Sequence, residues 1–366
     1  MEKLLEIFEK LKKVMTVSGY ESINAPIIRA IAEDVGEGFF DSSFVSPNGS
    51  IFLVHRSKKK DARTLLIDAH FDTIGLTVAE ILSGGFVRCA NIGGIDRRIL
   101  TTAEVEIYGK RVVRGLFSSV PPHLANKNGD GSLPDFADFL VDTGLSDEEL
   151  EKTVSVGDPA VFIGPTARLL GNRIASAHLD DKLCCASVLY ACKRAVTEDI
   201  DCNVTVLLSS GEETGEVGAK TAAFVLEADG AVALDVNFAK EKDVPEWQSS
   251  RLGDGAMISR SAATDRRMTD IVIGCARDAK IPCKVICEAE GTGTDADALD
   301  VSGRGTPASV LSIPIRYMHT PCETADLSDA LAASDILLEV MKNFDAASRR
   351  SETLLGVRIL KGGEVR

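Results

Sequence analysis

Short apolar runs recur along the chain and alternate with stretches of helical periodicity. The runs are typical of buried strands, and each ends shortly before an acid or a histidine. They cover residues 64–69, 174–177, 204–208, 231–234 and 309–313, and the helix-like stretches between or after them include 183–196, 217–227 and 265–279. This alternation predicts an α/β fold in which helices cover both faces of a sheet.

The pattern changes between residues 74 and 167. Glycine-rich turns, such as Ser83-Gly84-Gly85 and Ile92-Gly93-Gly94, separate segments of alternating polarity, such as 104–108. Helical periodicity is weak there except around 147–152. We therefore predict two domains: an inserted β-rich domain over 74–167, and a main α/β domain made of 1–73 plus 168–366.

Both ends of the chain carry amphipathic patterns. Near the start, Leu4, Phe8, Leu11 and Met15 recur at helical spacing with charges between them, which predicts a docked helix and not a signal peptide. A second apolar stripe, over 327–344, predicts a packing helix on the main domain. No apolar run is long enough to span a bilayer.

Composition narrows the class of protein. The 366 residues are 45% hydrophobic and 26% charged, with a formal net charge of −14. An acidic chain without a long basic stretch is unsuited to nucleic acid or to an anionic membrane surface, so we expect neither as a partner. The nine cysteines are too irregularly spaced for a disulfide framework. A cytoplasmic location follows as the expectation.

Five residues of metal-binding type follow or end these apolar runs. In α/β sheets, ligands gather beyond the carboxyl ends of the strands, where such residues would converge. Zinc accepts nitrogen and oxygen ligands of this kind, and a shared aspartate is the usual bridge between two ions. We predict two divalent metal ions per subunit, zinc first with cobalt and manganese as alternatives. The predicted ligands are His70, Asp180, Glu213, Asp235 and His319.

Taken one at a time, some of these motifs have simpler interpretations. Asp72, two residues after His70, could accept the second ring N–H of a metal-bound histidine, or be an unrelated neighbour. The Asp180-Asp181 pair could cap a helix instead of binding metal. His319 alone could be a core histidine.

The remaining acids are harder to explain without a cation. Adjacent carboxylates, as in Glu212-Glu213, repel one another at the end of a buried strand unless a cation holds one of them, although a solvated loop would also accommodate them. Asp235 lies inside the apolar run Val232-Ala233-Leu234-Asp235-Val236 and must be paired, metal-bound or functional.

Counting charges assigns a role to the acid that is left over. Two divalent ions bring four positive charges, which Asp180, Asp235, Glu213 and one bound hydroxide would balance. Glu212 then remains free to take a proton from the bridging water and to pass it to a leaving amine.

The chain resembles the tetrahedral aminopeptidase family, cocatalytic metallopeptidases of the cytosol that are also called glutamyl aminopeptidases or cellulase-M-like proteins. The resemblance extends over essentially the whole chain, and its motifs occur in the family's order. They are Ala69-His70-Phe71-Asp72-Thr73-Ile74-Gly75, Pro121-Pro122-His123-Leu124, Val156-Gly157-Asp158-Pro159, Leu179-Asp180-Asp181-Lys182, Glu212-Glu213-Thr214-Gly215 with Gly218-Ala219, Asp235-Val236, Gly293-Thr294-Asp295-Ala296 and Arg316-Tyr317-Met318-His319-Thr320-Pro321.

The resemblance implies specific roles for these residues. His70, Asp180 and Asp235 would hold one ion, and Asp180, Glu213 and His319 the other. Glu212 would be the general base, and Asp72 would orient a ligand. The resemblance also implies a mixed-sheet α/β/α metallopeptidase domain, and an inserted barrel-like domain through which subunits form dimers. Six dimers would close into a dodecamer that admits peptides but not folded proteins.

The loop 291–295 has glycines that would allow close approach of a substrate. Thr294 and Asp295 could line the substrate pocket, or the loop could be a plain turn. The leading prediction is an aminopeptidase that removes N-terminal residues from short peptides. The alternatives are a two-metal deacylase of N-acylated amino acids, a glycosidase that uses Glu212 and Glu213, and an inactive scaffold.

Overall fold

The computed structural model describes residues 1–119 and 134–355. Within these ranges the chain forms a large mixed sheet flanked by helices and a separate closed β-barrel. The prediction of an α/β fold with an inserted β-rich, barrel-like part is confirmed. The motif Pro121-Pro122-His123-Leu124 lies outside the described residues.

The helices and strands have the following bounds. The helices are α1 (Glu2–Lys12), α2 (Glu21–Val35), α3 (Asp147–Thr153), α4 (Leu179–Ala195), α5 (Val217–Val225), α6 (Arg266–Asp278), α7 (Asp295–Val301) and α8 (Leu327–Leu355). The first strands are β1 (Ser42–Val45), β2 (Ile51–His55), β3 (Thr64–His70), β4 (Gly75–Leu82), β5 (Phe86–Ile92), β6 (Glu104–Tyr108), β7 (Val112–Phe117), β8 (Leu140–Asp142) and β9 (Pro159–Phe162). The remaining strands are β10 (Ala167–Arg168), β11 (Arg173–Ser176), β12 (Asn203–Ser209), β13 (Gly230–Phe238), β14 (Ala256–Ser261), β15 (Cys283–Glu288), β16 (Ala308–Arg316) and β17 (Glu323–Asp326).

The large sheet has a parallel centre and antiparallel margins. Its order is β1-β2-β12-β3-β13-β16-β17-β11-β10, and β14 pairs with β15 and β16. Strands β12, β3, β13 and β16 run parallel, so their carboxyl ends lie at one edge. Strand β17 is antiparallel to both β16 and β11, so β11 also points toward that edge.

Each face of the sheet has its own apolar core. Along β3, Leu65 and Ile67 pack in the larger cluster, whereas Leu66 belongs to a second cluster. Side chains of a strand alternate between faces, so the two clusters lie on opposite sides of the sheet. Helices α1, α4, α6 and α8 cover the first face, and α5 and α7 cover the second. Among the described residues, no helix combines the length and the apolar character that crossing a bilayer requires.

The closed barrel consists of strands β4 to β9 in the order β4-β5-β8-β7-β6-β9. Strand β7 illustrates how the barrel encloses an apolar core. Its residues are alternately exposed and buried, with Val113 and Phe117 directed inward. All barrel strands fall between residues 75 and 162, directly after the strand that carries His70. The barrel is therefore attached next to the edge where the predicted ligands lie.

Candidate active site

The predicted ligands lie at the edge of the sheet where the parallel strands end. His70 is the last residue of β3, and Asp235 lies near the end of β13. Glu213 follows β12, His319 follows β16, and Asp180 is in the first turn of α4, shortly after β11. The structure brings these five residues together, as expected for a crevice at the carboxyl ends of the strands.

Asp180 lies between the two histidines. Its Oδ1 is 3.2 Å from His70 Nε2, and its Oδ2 is 3.1 Å from His319 Nε2. Asp235 Oδ1 is 3.8 Å from the same nitrogen of His70, and Glu213 Oε2 is 3.5 Å from that of His319. A carboxylate that presents one oxygen to each imidazole has the arrangement of a ligand shared by two cations.

The possible ligand atoms form two groups that share Asp180. In each group, these atoms lie within 4.8 Å of one another. Zinc binds imidazole nitrogen and carboxylate oxygen at about 2.0–2.2 Å, so each group is of a size to surround an ion. The first group is His70, Asp180, Asp181 and Asp235, and the second is Asp180, Glu213 and His319.

Asp181 is an acid whose role the sequence left open. It is fully buried in the first turn of α4, and neither of its carboxylate oxygens has a hydrogen-bond partner in the described part of the chain. Burial raises the pKa of Asp181 well above its usual range, and the neighbouring Asp235 adds to the shift. A buried carboxylate without a donor is a candidate for a cation ligand.

His70 is oriented for binding through Nε2. Its other ring nitrogen, Nδ1, lies 3.1 Å from the backbone oxygen of Asp72, which can only accept a hydrogen bond. Nδ1 therefore carries a proton, and in the neutral imidazole the lone pair of Nε2 would point toward a cation between His70, Asp180 and Asp235. The carboxylate of Asp72 is 3.7 Å from Nδ1, beyond hydrogen-bond distance.

Glu212 lies beside the first group of ligands. Its Oε2 is 3.8 Å from His70 Nε2, and its side chain is 12% exposed. Burial raises the pKa of Glu212 to about 10; His70 opposes this rise, and Asp235 adds to it. The position suits a group that exchanges protons with a molecule bound at the ligands.

Electrostatics provides a test of whether these residues fit divalent cations. Burial raises the pKa of Glu213 to about 8, with a further rise from Asp180, and burial raises the pKa of Asp235 to about 7. Glu213 Oε1 is buried and has no hydrogen-bond partner among the described residues. These carboxylates have too little positive charge near them, and divalent cations at the ligand groups would supply it. The donor set therefore fits a metal centre.

Comparison with known proteins identifies the family. A family model described as M42 glutamyl aminopeptidase matches residues 49–336. The chain belongs to this family. It is 30% identical to a lysyl aminopeptidase from Pyrococcus furiosus in an alignment of 352 positions that covers 93% of this chain and 98% of the relative. Peptide hydrolysis by a metal-dependent aminopeptidase, the leading prediction, is confirmed, and the deacylase, glycosidase and scaffold alternatives are not favoured.

Solved structures agree with this assignment. An aminopeptidase from the archaeon Desulfurococcus kamchatkensis is similar with a TM-score of 0.88 and 29% identity, covering 98% of this chain and 99% of that chain. The TET1 peptidase of Pyrococcus horikoshii, described as able to assemble into a tetrahedron or a large octahedral shell, is similar with a TM-score of 0.79 and 28% identity. That match covers 92% of this chain and 99% of the TET1 peptidase. The resemblance to the tetrahedral aminopeptidases is therefore confirmed.

In this M42 aminopeptidase, three buried acids hold the backbone of the loops at the site. Asp72 accepts the N–H groups of Glu212 and Glu213. Glu21 accepts the N–H of Gly211, which has a φ of 69°. The third acid is Glu323 of β17. Neither Glu21 nor Glu323 could be singled out from the sequence, because neither comes directly after an apolar strand-like run.

Thr294 and Asp295, the predicted substrate residues, are both buried at the start of α7. Thr294 is the N-cap of this helix, and its Oγ1 accepts the N–H of Ala296. Asp295 Oδ2 accepts the hydroxyl of Ser209, at the end of β12, at 2.5 Å. A contact of either residue with substrate stays a prediction.

The barrel also reaches the active site of the aminopeptidase. The turn after β5 passes so close that a Cβ atom at Gly94 would lie 3.1 Å from His319 Nδ1. A Cβ at Gly93 would lie 3.4 Å from Glu213 Oε2. This turn therefore forms a wall beside the second group of ligands. His178 lines a small cavity together with Asp180, Glu213 and His319.

Proposed function

We propose that this aminopeptidase cleaves N-terminal residues from short peptides at a centre of two divalent metal ions. His70, Asp180 and Asp235 hold one ion, with Asp181 as a further candidate ligand. Asp180, Glu213 and His319 hold the other. The observation that carries the proposal is the position of Asp180, whose two oxygens face the two imidazoles at 3.2 and 3.1 Å.

The roles of the remaining residues follow from where they lie. Bound divalent cations supply Lewis acidity at the scissile carbonyl and lower the pKa of water and of the carboxylates around them. Glu212 accepts the proton of the attacking water and delivers it to the leaving amine. Asp72 keeps Glu212 and Glu213 in place through their backbone N–H groups. The turn at Gly93 and Gly94 limits the space beside His319.

The substrate class follows from the charge of the site. An enzyme confined to N-termini must receive the ammonium group of its substrate next to the scissile bond. The three carboxylates among the predicted ligands and a bound hydroxide would balance two divalent ions, so Glu212 and Asp181, which lie beside them, add net negative charge to the site. Such a site attracts the cationic end of a peptide more strongly than a blocked, neutral one. Zinc is the proposed ion, with cobalt and manganese as alternatives, because all three accept mixed nitrogen and oxygen ligands.

We further propose that residues 74–167 form an oligomerisation domain on a catalytic domain of 1–73 plus 168–366. Support comes from the outer face of β7, where Val112 and Leu116 are 46% and 45% exposed. Dimers formed through the barrel would assemble into a dodecamer. Light scattering tests this proposal: the double variant V112D/L116D should release smaller species, and an unchanged mass would contradict the role of this face.

A cytoplasmic location is part of the proposal. All nine cysteines lie within the described residues and are free, which suits a reducing compartment. Fractionation of the native cells with antibody detection would test it. Recovery of the protein from the medium or from a membrane fraction would contradict it.

The test of the catalytic proposal is the substitution Glu212→Gln. We expect kcat on aminoacyl p-nitroanilides to fall by about 100-fold or more, as for loss of a general base, with an unchanged metal content. Glu216→Gln is the matched control, because Glu216 pairs with Lys220 and belongs to neither ligand group. Wild-type activity of Glu212→Gln would remove Glu212 from this role. Cleavage of N-acetylated substrates at the same rate as free ones would contradict the aminopeptidase specificity.

A further inference from the structure

Glu323 is a buried acid of β17 that contacts two loops of the active site. It is 2% exposed. Its Oε2 accepts the backbone N–H groups of Leu179 at 2.7 Å and Asp180 at 3.2 Å, and its Oε1 accepts that of His319 at 2.8 Å. One oxygen therefore binds the segment that carries Asp180, and the other binds the segment that carries His319.

The N–H groups that Glu323 accepts belong to irregular backbone. Strand β11 ends before the first segment, and β16 ends before the second. His178, Tyr317 and His319 all have positive φ, of 62°, 59° and 62°. Neither segment can therefore use a strand ladder, and the first N–H groups of a helix have no partner within it. A buried N–H without an acceptor is destabilising, so the acceptor side chain fixes the course of both segments.

Asp180 and His319 also contact one another through their side chains. His319 Nε2 lies 3.1 Å from Asp180 Oδ2. Glu323 thus binds the backbone of both residues whose side chains would share an ion. A shift of either segment relative to the other would change this distance directly.

We propose that Glu323 is a positioning residue that sets the separation of Asp180 and His319 before a metal ion binds. The inference rests on the two-ion centre proposed above. It assigns no contact with substrate or metal to Glu323. Its effect is exerted through the backbone of two ligands, and it should bear most on the ion held by Asp180, Glu213 and His319.

The substitution Glu323→Gln separates positioning from packing. Glutamine has nearly the same volume, but it offers one acceptor oxygen and one NH₂ group. It can therefore satisfy one of the two segments, while its NH₂ group faces an N–H donor of the other. Thr324→Val is the matched control: it is also nearly isosteric, lies next to Glu323 on β17, and removes a hydrogen bond from Thr324 Oγ1 to the Cys322 oxygen.

The first measurement is zinc content at equilibrium over a series of buffered zinc concentrations. Wild type and Thr324→Val should bind two ions. Glu323→Gln should bind the second about 10- to 100-fold more weakly, keep the first, and show a lower kcat that excess zinc partly restores, with little change in KM. Two ions bound by Glu323→Gln with wild-type affinities would overturn the inference. Fewer than two ions on the wild type would overturn the two-ion centre itself.

A second measurement does not depend on the folding of a variant. In metal-free wild-type protein, hydrogen exchange at the amides of Asp180 and His319 should already be slow, because Glu323 holds both N–H groups without metal. The peptide 241–245, which belongs to no helix or strand and is mostly exposed, provides the reference for fast exchange. Fast exchange at Asp180 and His319 that becomes slow only on addition of zinc would overturn the inference.

Discussion

The carboxylate of Asp72 accepts the backbone N–H of Glu212 at 3.1 Å, and its second oxygen accepts that of the next residue at 3.2 Å. Asp72 is fully buried and lies 140 residues away in sequence from Glu212. The backbone N–H groups of the proposed base and of one proposed ligand therefore depend on the same distant side chain.

Replacement of this acid should uncouple activity from metal content. Asp72→Asn offers one oxygen to two N–H groups, so one of them faces the amide NH₂ and the segment shifts. We expect kcat to fall about 10- to 100-fold while most of the metal is retained, because Asp72 belongs to neither ligand group. Steady-state kinetics and metal analysis on the same preparation check this.

Asp147→Asn is the control for this change. Asp147 Oδ1 accepts the N–H groups of Gly84 and Gly85 at 2.6 and 3.0 Å in the barrel. Its replacement should lower the melting temperature and leave kcat unaltered. A wild-type kcat for Asp72→Asn would refute the positioning role of Asp72.

The barrel turn beside His319 gives a second prediction. Gly94 has no positive φ, so alanine fits its backbone, but the new Cβ would lie 3.1 Å from His319 Nδ1 and push the imidazole away. Gly94→Ala should reduce kcat and weaken the binding of the metal ion that His319 would hold. Gly274→Ala, in α6 with open space around the new Cβ, should keep full activity and gain about 0.5–1 kcal/mol of stability. Equal kinetics for both variants would mean that the turn does not constrain the site.

The pH dependence of stability gives a third prediction. Burial raises the pKa of Asp235 to about 7 and that of Glu213 to about 8 in metal-free protein. Burial would lower the pKa of His319, but its hydrogen bond to Asp180 and the nearby negative charges of Glu213 and Asp180 together outweigh this and raise the pKa to about 9. All three groups hold protons in the folded state that the unfolded state releases, so their stabilising contribution is lost as pH rises through these values.

The metal-free protein should therefore melt at a lower temperature at pH 9 than at pH 6. Bound zinc replaces these protons, so the increase in melting temperature on adding zinc should grow over the same range. Asp180 has the opposite sign: burial would raise its pKa, but hydrogen bonds from His319 and His70 lower it, so its contribution is lost only in acid. Scanning calorimetry with chelator and with zinc checks both trends. A metal-free protein that becomes more stable between pH 6 and 9 would contradict them.

The sequence was sufficient to predict the residues at strand ends. An acid or histidine at the end of a buried strand lies at the carboxyl edge of an α/β sheet. The proximity of His70, Asp235 and His319 could therefore be predicted. The helices over 183–196, 217–227 and 265–279 correspond to α4, α5 and α6 with small changes at their ends. The spacing of hydrophobic residues predicts these helices because each helix buries either one face or its whole surface.

The supporting contacts could not be read from the sequence. Glu323 and Glu21 accept N–H groups up to 144 and 190 residues away, and no local pattern marks such partners. The approach of Gly94 to His319 depends on how the barrel is seated on the sheet. Asp181 could not be distinguished from a helix cap, because its burial without a donor is visible only in three dimensions.

The most direct test of the two-ion centre is an anomalous difference map from zinc-loaded crystals, recorded on both sides of the zinc absorption edge. Two peaks in each subunit are expected on either side of Asp180, one next to His70 and Asp235 and the other next to Glu213 and His319. Absence of peaks at these positions, or a single ion bound without Asp180, would contradict the account.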